Sequence, residues 1–97
     1  MKFVGKAKGR VIRWDAEKKF GFSKIDEILS GDVYKSSGMG EDAFVHHREV
    51  NMEGVRKLIP GQIIQFEMFR GPKGITAKEV VVVGEAYDDE GEINGNV

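Results

Sequence analysis

The chain has no cysteine, so neither a disulfide nor a thiolate zinc site is open to it. Proline occurs only twice. No stretch nears the ~18 consecutive apolar residues that a membrane-spanning helix needs. The opening residues Met1-Lys2-Phe3-Val4-Gly5-Lys6-Ala7-Lys8 lack the apolar core of a secretory signal. These absences predict a cytoplasmic protein with no membrane partner. The chain has 97 residues, enough for one domain. A domain of that size buries only about two-thirds of its unfolded surface. A shallow working surface is therefore expected rather than a deep enclosed site.

The net charge of −1 hides an asymmetry. Residues 1–24 carry eight Lys or Arg against two acids, a balance of +6. Residues 85–97 carry five acids and no base, a balance of −5. Without that segment, fifteen bases face eleven acids, leaving +4. A basic body suits a polyanionic partner, and an acidic tail is able to compete with that partner.

Thirteen glycines punctuate short runs of β-formers, which predicts an all-β fold. Five strands are expected, at about residues 4–14, 19–27, 42–47, 61–70 and 75–83. The turn Gly71-Pro72-Lys73-Gly74 joins the last two as a hairpin. A short helical turn is expected within Glu49–Leu58, ended by Pro60-Gly61. Residues 28–41 read as a long excursion, either a loop or a hairpin in which residues 32–35 pair back on 26–29. Tyr34 and Met39 within it are candidate contacts for nucleic acid or a protein. The domain so delimited is 1–84, and 85–97 reads as a disordered acidic tail. Five short strands with a longer connection before the fourth suit a five-stranded antiparallel OB-fold barrel, whose closure removes exposed sheet edges.

Lys18-Lys19-Phe20-Gly21-Phe22 is the most informative segment. Phe20 and Phe22 share one face of a strand, and Gly21 puts no side chain on the other. That suits rings on the outside and backbone packed closely within. Phe44-Val45-His46-His47 repeats the theme, with Phe44 and His46 on one face. Phenylalanines are usually core residues. Outward rings beside lysine and arginine are nonetheless what an unpaired base and its phosphate require.

In register, these motifs resemble the cold-shock domain family. Gly9-Arg10-Val11-Ile12-Arg13-Trp14-Asp15-Ala16-Glu17-Lys18-Lys19-Phe20-Gly21-Phe22 is similar to its opening, in which Phe20-Gly21-Phe22 matches the first RNA-binding motif. Asp42-Ala43-Phe44-Val45-His46-His47 matches the second. Pro60-Gly61-Gln62, Phe66-Glu67, Gly71-Pro72-Lys73-Gly74 and Ala77 follow in the family's order, so the likeness covers about residues 5–83. It implies an OB-fold barrel that binds single-stranded RNA and DNA with weak sequence preference, often as an RNA chaperone. It places Phe20, Phe22, Phe44 and His46 at base-stacking positions, and Lys18 and Lys73 at or beside basic positions near phosphates.

Several positions depart from the family pattern. Arg13 stands where a stacking tryptophan is usual and Trp14 at the next aromatic. Either the Arg13 guanidinium stacks, or a local slip puts Trp14 on the face. His47 replaces an aromatic, Lys19 replaces a glycine and adds charge, and Val55 stands where a loop phenylalanine is common. Ser23 and Ala43 replace interior aliphatics, which suggests a looser core there.

The nucleic-acid-binding residues expected are thus Arg13, Trp14, Lys18, Lys19, Phe20, Phe22, Phe44, His46, His47 and Lys73. The partner is single-stranded RNA or DNA, and the protein is expected to be a monomer or weak dimer. No cofactor, metal or catalytic residue is assigned. Adjacent His46 and His47 point to opposite faces of a strand and do not readily share an ion. No nucleophile-base signature or phosphate-cradling loop occurs. The alternative function is an OB-fold adaptor that binds a protein through its face or through the 28–41 excursion.

Overall fold

The computed structural model describes residues 1–31 and 41–85. The back-pairing expected of residues 32–35, the contacts of Tyr34 and Met39, and residues 86–97 of the acidic tail lie outside them. The strands are β1 (Lys2–Asp15), β2 (Phe20–Lys24), β3 (Glu27–Gly31), β4 (Asp42–His46), β5 (Ile63–Gly71) and β6 (Gly74–Gly84). There is no α-helix among the described residues.

β1 alternates from Gly5 to Val11, with Gly5, Ala7, Gly9 and Val11 inward and Lys6, Lys8 and Arg10 outward. Its register shifts between Phe3 and Gly5 and between Val11 and Arg13, so that Arg13 turns outward and Trp14 inward. It pairs on both edges. β5 lies antiparallel along Lys2–Arg10, and β2 runs along Val11–Asp15. β2 pairs with β4, β4 with β6, and β6 with β5, which closes the ring. The β4–β6 seam is parallel; the other pairings are antiparallel. The six segments thus make a closed five-stranded barrel, the OB-type fold. β2 and β3 act as one strand broken at Ile25-Asp26, with β3 continuing along β1 from Lys8 to Gly5. Residues 28–31, placed in the excursion by their composition, are therefore strand. Ser30 and Gly31 gave no apolar pattern to detect, because this end of β3 is exposed.

The interior is narrow, as five strands require. It is filled by Ala7, Val11, Ala43, Val45, Ile64, Phe66, Met68, Ile75, Ala77 and Val80, all at or near zero exposure. The inward positions of β6 run 75, 77, 80 rather than strictly alternating. Glu79, with φ 53°, is the extra residue of a bulge, and the β5 register shifts opposite it. Ser23 is completely buried, and its hydroxyl lies 2.9 Å from the Lys24 carbonyl and 3.2 Å from that of Arg10. It is a satisfied polar group tying β2 to β1, where the sequence had suggested loosened packing. The helical turn comes earlier than expected, as a single 3-10 turn at His47–Glu49. His46 caps it: its Nδ1 accepts from the Arg48 N–H at 3.2 Å.

The β1–β2 turn is set by Asp15, whose Oδ1 accepts from the N–H groups of Glu17 and Lys18 at 3.0 and 2.9 Å. Lys19 then takes φ 63°, a conformation that costs a residue with a Cβ about 1–2 kcal/mol. That conformation explains the glycine usual at this position. Lys19→Gly should raise stability by about 0.5–1 kcal/mol, part of the relief being offset by glycine's freer unfolded chain. Gly21→Ala should act the other way. A Cβ there would overlap the Arg13 carbonyl oxygen and lie 2.8 Å from Trp14 Cε3, a cost of about 1–3 kcal/mol. Urea midpoints of the two variants against the parent check both signs.

Candidate nucleic-acid interface

Barrel closure sorts the motif residues by face. One inward row runs across the hydrogen-bonded partners Trp14, Gly21, Val45, Ala77 and Met68. The neighbouring row, Arg13, Phe22, Phe44 and Thr76, therefore points outward. Phe20 and His46 are cross-strand partners, one step further along on the same side. None of Phe20, Phe22 and Phe44 belongs to the buried core; all three are half-buried.

The rings support one another. Phe20 and Phe44 have centroids 5.3 Å apart, Phe22 and Phe44 5.8 Å, and Phe20 and Phe22 6.3 Å. Their interplanar angles of 44–89° give tilted and edge contacts, not stacks. Such contacts contribute about 0.5–1.5 kcal/mol per pair beyond burial and hold the cluster in place. His46 extends it, 6.5 Å from Phe44.

The structure separates Arg13 from Trp14. The exposed Arg13 lies with its guanidinium carbon 4.5 Å from the Phe22 ring centroid, on the aromatic side. Trp14 pairs with Gly21 and packs against the core. Its half-buried ring still borders a cleft of about 540 Å³, shared with Arg13, Lys18, Phe20 and Phe22. The absent side chain at Gly21 makes room for that indole. Lys18 thus borders the rings directly. Lys19 is exposed on the flank, where its carbonyl accepts from the His47 N–H at 3.0 Å.

Lys73 reaches the cluster from the other side. A trough of about 550 Å³ runs from Phe22 and Phe44, past Thr76, to the β5–β6 turn, and Met1 and Lys73 line its far end. Met1 and Thr76 were not among the residues expected. Thr76 meets Phe44 only through the parallel seam, and Met1 through the far end of β1, so no local motif marks either.

His46 and His47 do come together, with centroids 4.7 Å apart, although strand alternation would separate them. The reason is that the strand ends at His46 and the 3-10 turn swings His47 back. No group of three or more potential metal ligands occurs among the described residues. Partial burial, then the positive neighbours His46, Lys19, Arg48 and Arg56, hold the His47 imidazole below its ordinary value. Arg56 belongs to this cluster because its Nη1 donates to the Arg48 carbonyl at 3.2 Å. The loop position Val55 projects into solvent at 77% exposure and carries no ring.

Two comparisons bear on this face. The "cold-shock" DNA-binding domain profile matches residues 7–83. The chain is 42% identical over 74 residues to cold shock-like protein CspA of Stigmatella aurantiaca, spanning 76% of this chain and 93% of that protein. It is 37% identical over 76 residues to a cold shock-like protein of Thermotoga maritima, spanning 78% and 97%. A shorter match, 46% over 46 residues, joins it to cold shock-like protein CspD of Escherichia coli, covering 47% of this chain and 62% of that protein.

The shift at His47 sets a pH dependence. As pH falls through the ordinary histidine value near 6.5, the unfolded chain takes up a proton that the folded site resists. Stability should therefore decline below about pH 6.5, and His47→Gln should flatten that part of the curve. Denaturant midpoints between neutral and mildly acidic pH measure it. NMR of the imidazole proton should place the His47 midpoint below that of a free imidazole.

Proposed function

The chain belongs to the cold-shock domain family, a family of nucleic-acid-binding proteins, and from that premise we propose that it binds single-stranded RNA and DNA with low sequence specificity. One observation carries the reading: Arg13, Phe20, Phe22, Phe44 and His46 form a contiguous, half-exposed aromatic surface outside the barrel, bordered by Lys18 and Lys73. Unpaired bases stack on Phe20, Phe22, Phe44 and His46. The Arg13 guanidinium adds a flat cationic surface beside Phe22, and Trp14 and His47 border the site. Lys18, Lys19 and Lys73 meet phosphates. Every base offers a π face, so such a surface discriminates little between sequences.

The mechanism needs no bond chemistry. A protein that holds bases unpaired lowers the free energy of opened RNA relative to its hairpins. Such binding supports a cytoplasmic role as an RNA chaperone or a regulator of transcription or translation. The working unit is the barrel. Residues 85–97 carry five acids and no base, and such charges compete with phosphates for Lys and Arg.

The test is a fluorescence titration of Trp14 with oligothymidylate and oligouridylate at two salt concentrations. Quenching should weaken with salt at a log–log slope of roughly −2 to −3, as three or four phosphate contacts on a single strand require. Phe22→Ala and Phe20→Ala should each weaken binding by about 1–3 kcal/mol while the barrel stays folded. No response at low salt would favour the adaptor alternative, a face turned to a protein partner.

A shortened chain ending at Glu85 should bind more tightly at low salt and no differently at high salt. Glu85 is kept because its Oε1 accepts from Gln62 Nε2 at 3.3 Å. Equal affinity at low salt would remove the idea of a competing tail.

A further inference from the structure

We propose that Phe3 and Phe69 form a second stacking platform for the same nucleic-acid strand, reached from Phe44 across Thr76. The proposal rests on the reading that the Phe20–Phe22–Phe44 face binds unpaired bases. It concerns two residues that lie outside both aromatic motifs.

The sheet register leads from one site to the other. The outward row Arg13, Phe22, Phe44 and Thr76 continues to Phe69 and then to Phe3. It returns to β1 ten residues from where it left, between Arg13 and Phe3, because the stagger of a closed barrel carries a row helically around it. Four of the six positions on this row are phenylalanine. Thr76 is the gap between the two pairs, and it lines the trough.

The second pair has the features of the first. The Phe3 and Phe69 centroids are 5.4 Å apart at 63°. Phe3 is 49% exposed, so nearly half of it remains in water. Lys78 sits with its Nζ 5.4 Å from the Phe69 centroid. It lies two residues from Thr76 on β6 and shares its outward face. Cationic groups thus flank Thr76 along the chain, Lys73 in the turn before it and Lys78 on β6 after it. That combination of ring faces and spaced positive charge fits a polyanion carrying flat bases.

The span is right for one strand. Phe44 and Phe69 are two strands apart, about 10 Å at a strand spacing of about 4.8 Å. Stacked nucleotides advance about 3.4 Å each, and unstacked ones further. One or two nucleotides crossing Thr76 therefore join the platforms, with their phosphates passing Lys73. The added site acts only on a strand long enough to reach it.

Length dependence is the test. Affinities of the parent, Phe22→Ala, Phe3→Leu and Lys78→Gln are measured for oligothymidylates of about four and about ten nucleotides, within the range of OB-fold sites. Phe3→Leu keeps apolar contact with Phe69 and removes the flat ring. It should weaken the long oligomer on the order of fivefold to tenfold and leave the short one unchanged. Lys78→Gln should act in the same direction and more weakly, with a shallower salt slope on the long oligomer. In NMR, the ring protons of Phe3 and Phe69 should shift with the long oligomer alone.

Equal affinities of Phe3→Leu and the parent for the long oligomer would overturn the second platform, as would equal losses at both lengths. So would a parent that sediments as a dimer and a Phe3→Leu that sediments as a monomer, since Phe3 would then contact a second copy. If the parent binds neither oligomer, the first face fails as well. If Phe22→Ala weakens both lengths and Phe3→Leu neither, only the second platform is lost.

Discussion

β1 hydrogen-bonds along both of its edges, and this double pairing constrains everything else. It pulls β2 and β5 together around one strand and leaves a narrow interior filled by Phe66, Met68 and small or aliphatic side chains. Gly5, Ala7 and Gly9 on β1 let the opposing backbone approach; a Cβ at Gly9 would overlap the Lys24 carbonyl. The inward row of Gly21, Val45, Ala77 and Met68 fills the space next to Trp14. Phe20, Phe22 and Phe44 each lie one position off the inward residues Gly21 and Val45. Strand alternation then puts these rings outside, where they pack on one another at 5.3–6.3 Å.

Polar groups are arranged to keep that surface fixed. Asp15 caps the turn that brings Lys18 beside Phe20. The His46 Nδ1 accepts from the Arg48 N–H, which fixes the ring's orientation. At the other end, Arg70 Nη2 donates to Glu41 Oε1 at 2.7 Å, an ion pair linking β5 to the residue that precedes β4. Both partners are about one-third exposed, so its net contribution is small. Its effect is positional: it holds the start of β4 near the β5–β6 hairpin that carries Lys73.

The phenylalanine motifs were legible because their spacing equals the strand repeat. With a glycine between Phe20 and Phe22, the ring-bearing face has no polar counterpart, and that oddity pointed outward. The five-strand pattern was legible from short runs of β-formers set between glycines. Other features left no local trace. β3 ends in Ser30 and Gly31, residues of no β character, and only their pairing with Gly5 and Lys6 of β1 makes them strand. The His46–His47 contact reverses the expectation from alternation, because the end of a strand depends on which partner stops pairing.

What the sequence by itself determined was the chemistry on offer: which residues alternate, where rings and cations concentrate, and that the chain resembles a family of single-strand binders. Tertiary structure alone decided which of these groups meet. The choice of Arg13 over Trp14 on the ring-bearing side follows from β1 pairing with β2 at Phe22 and Gly21. The proximity of Met1, Lys73 and Thr76 to Phe44 follows from the parallel seam and the stagger of the closed barrel. Those are register relations between strands far apart along the chain, and a local pattern holds no information about them.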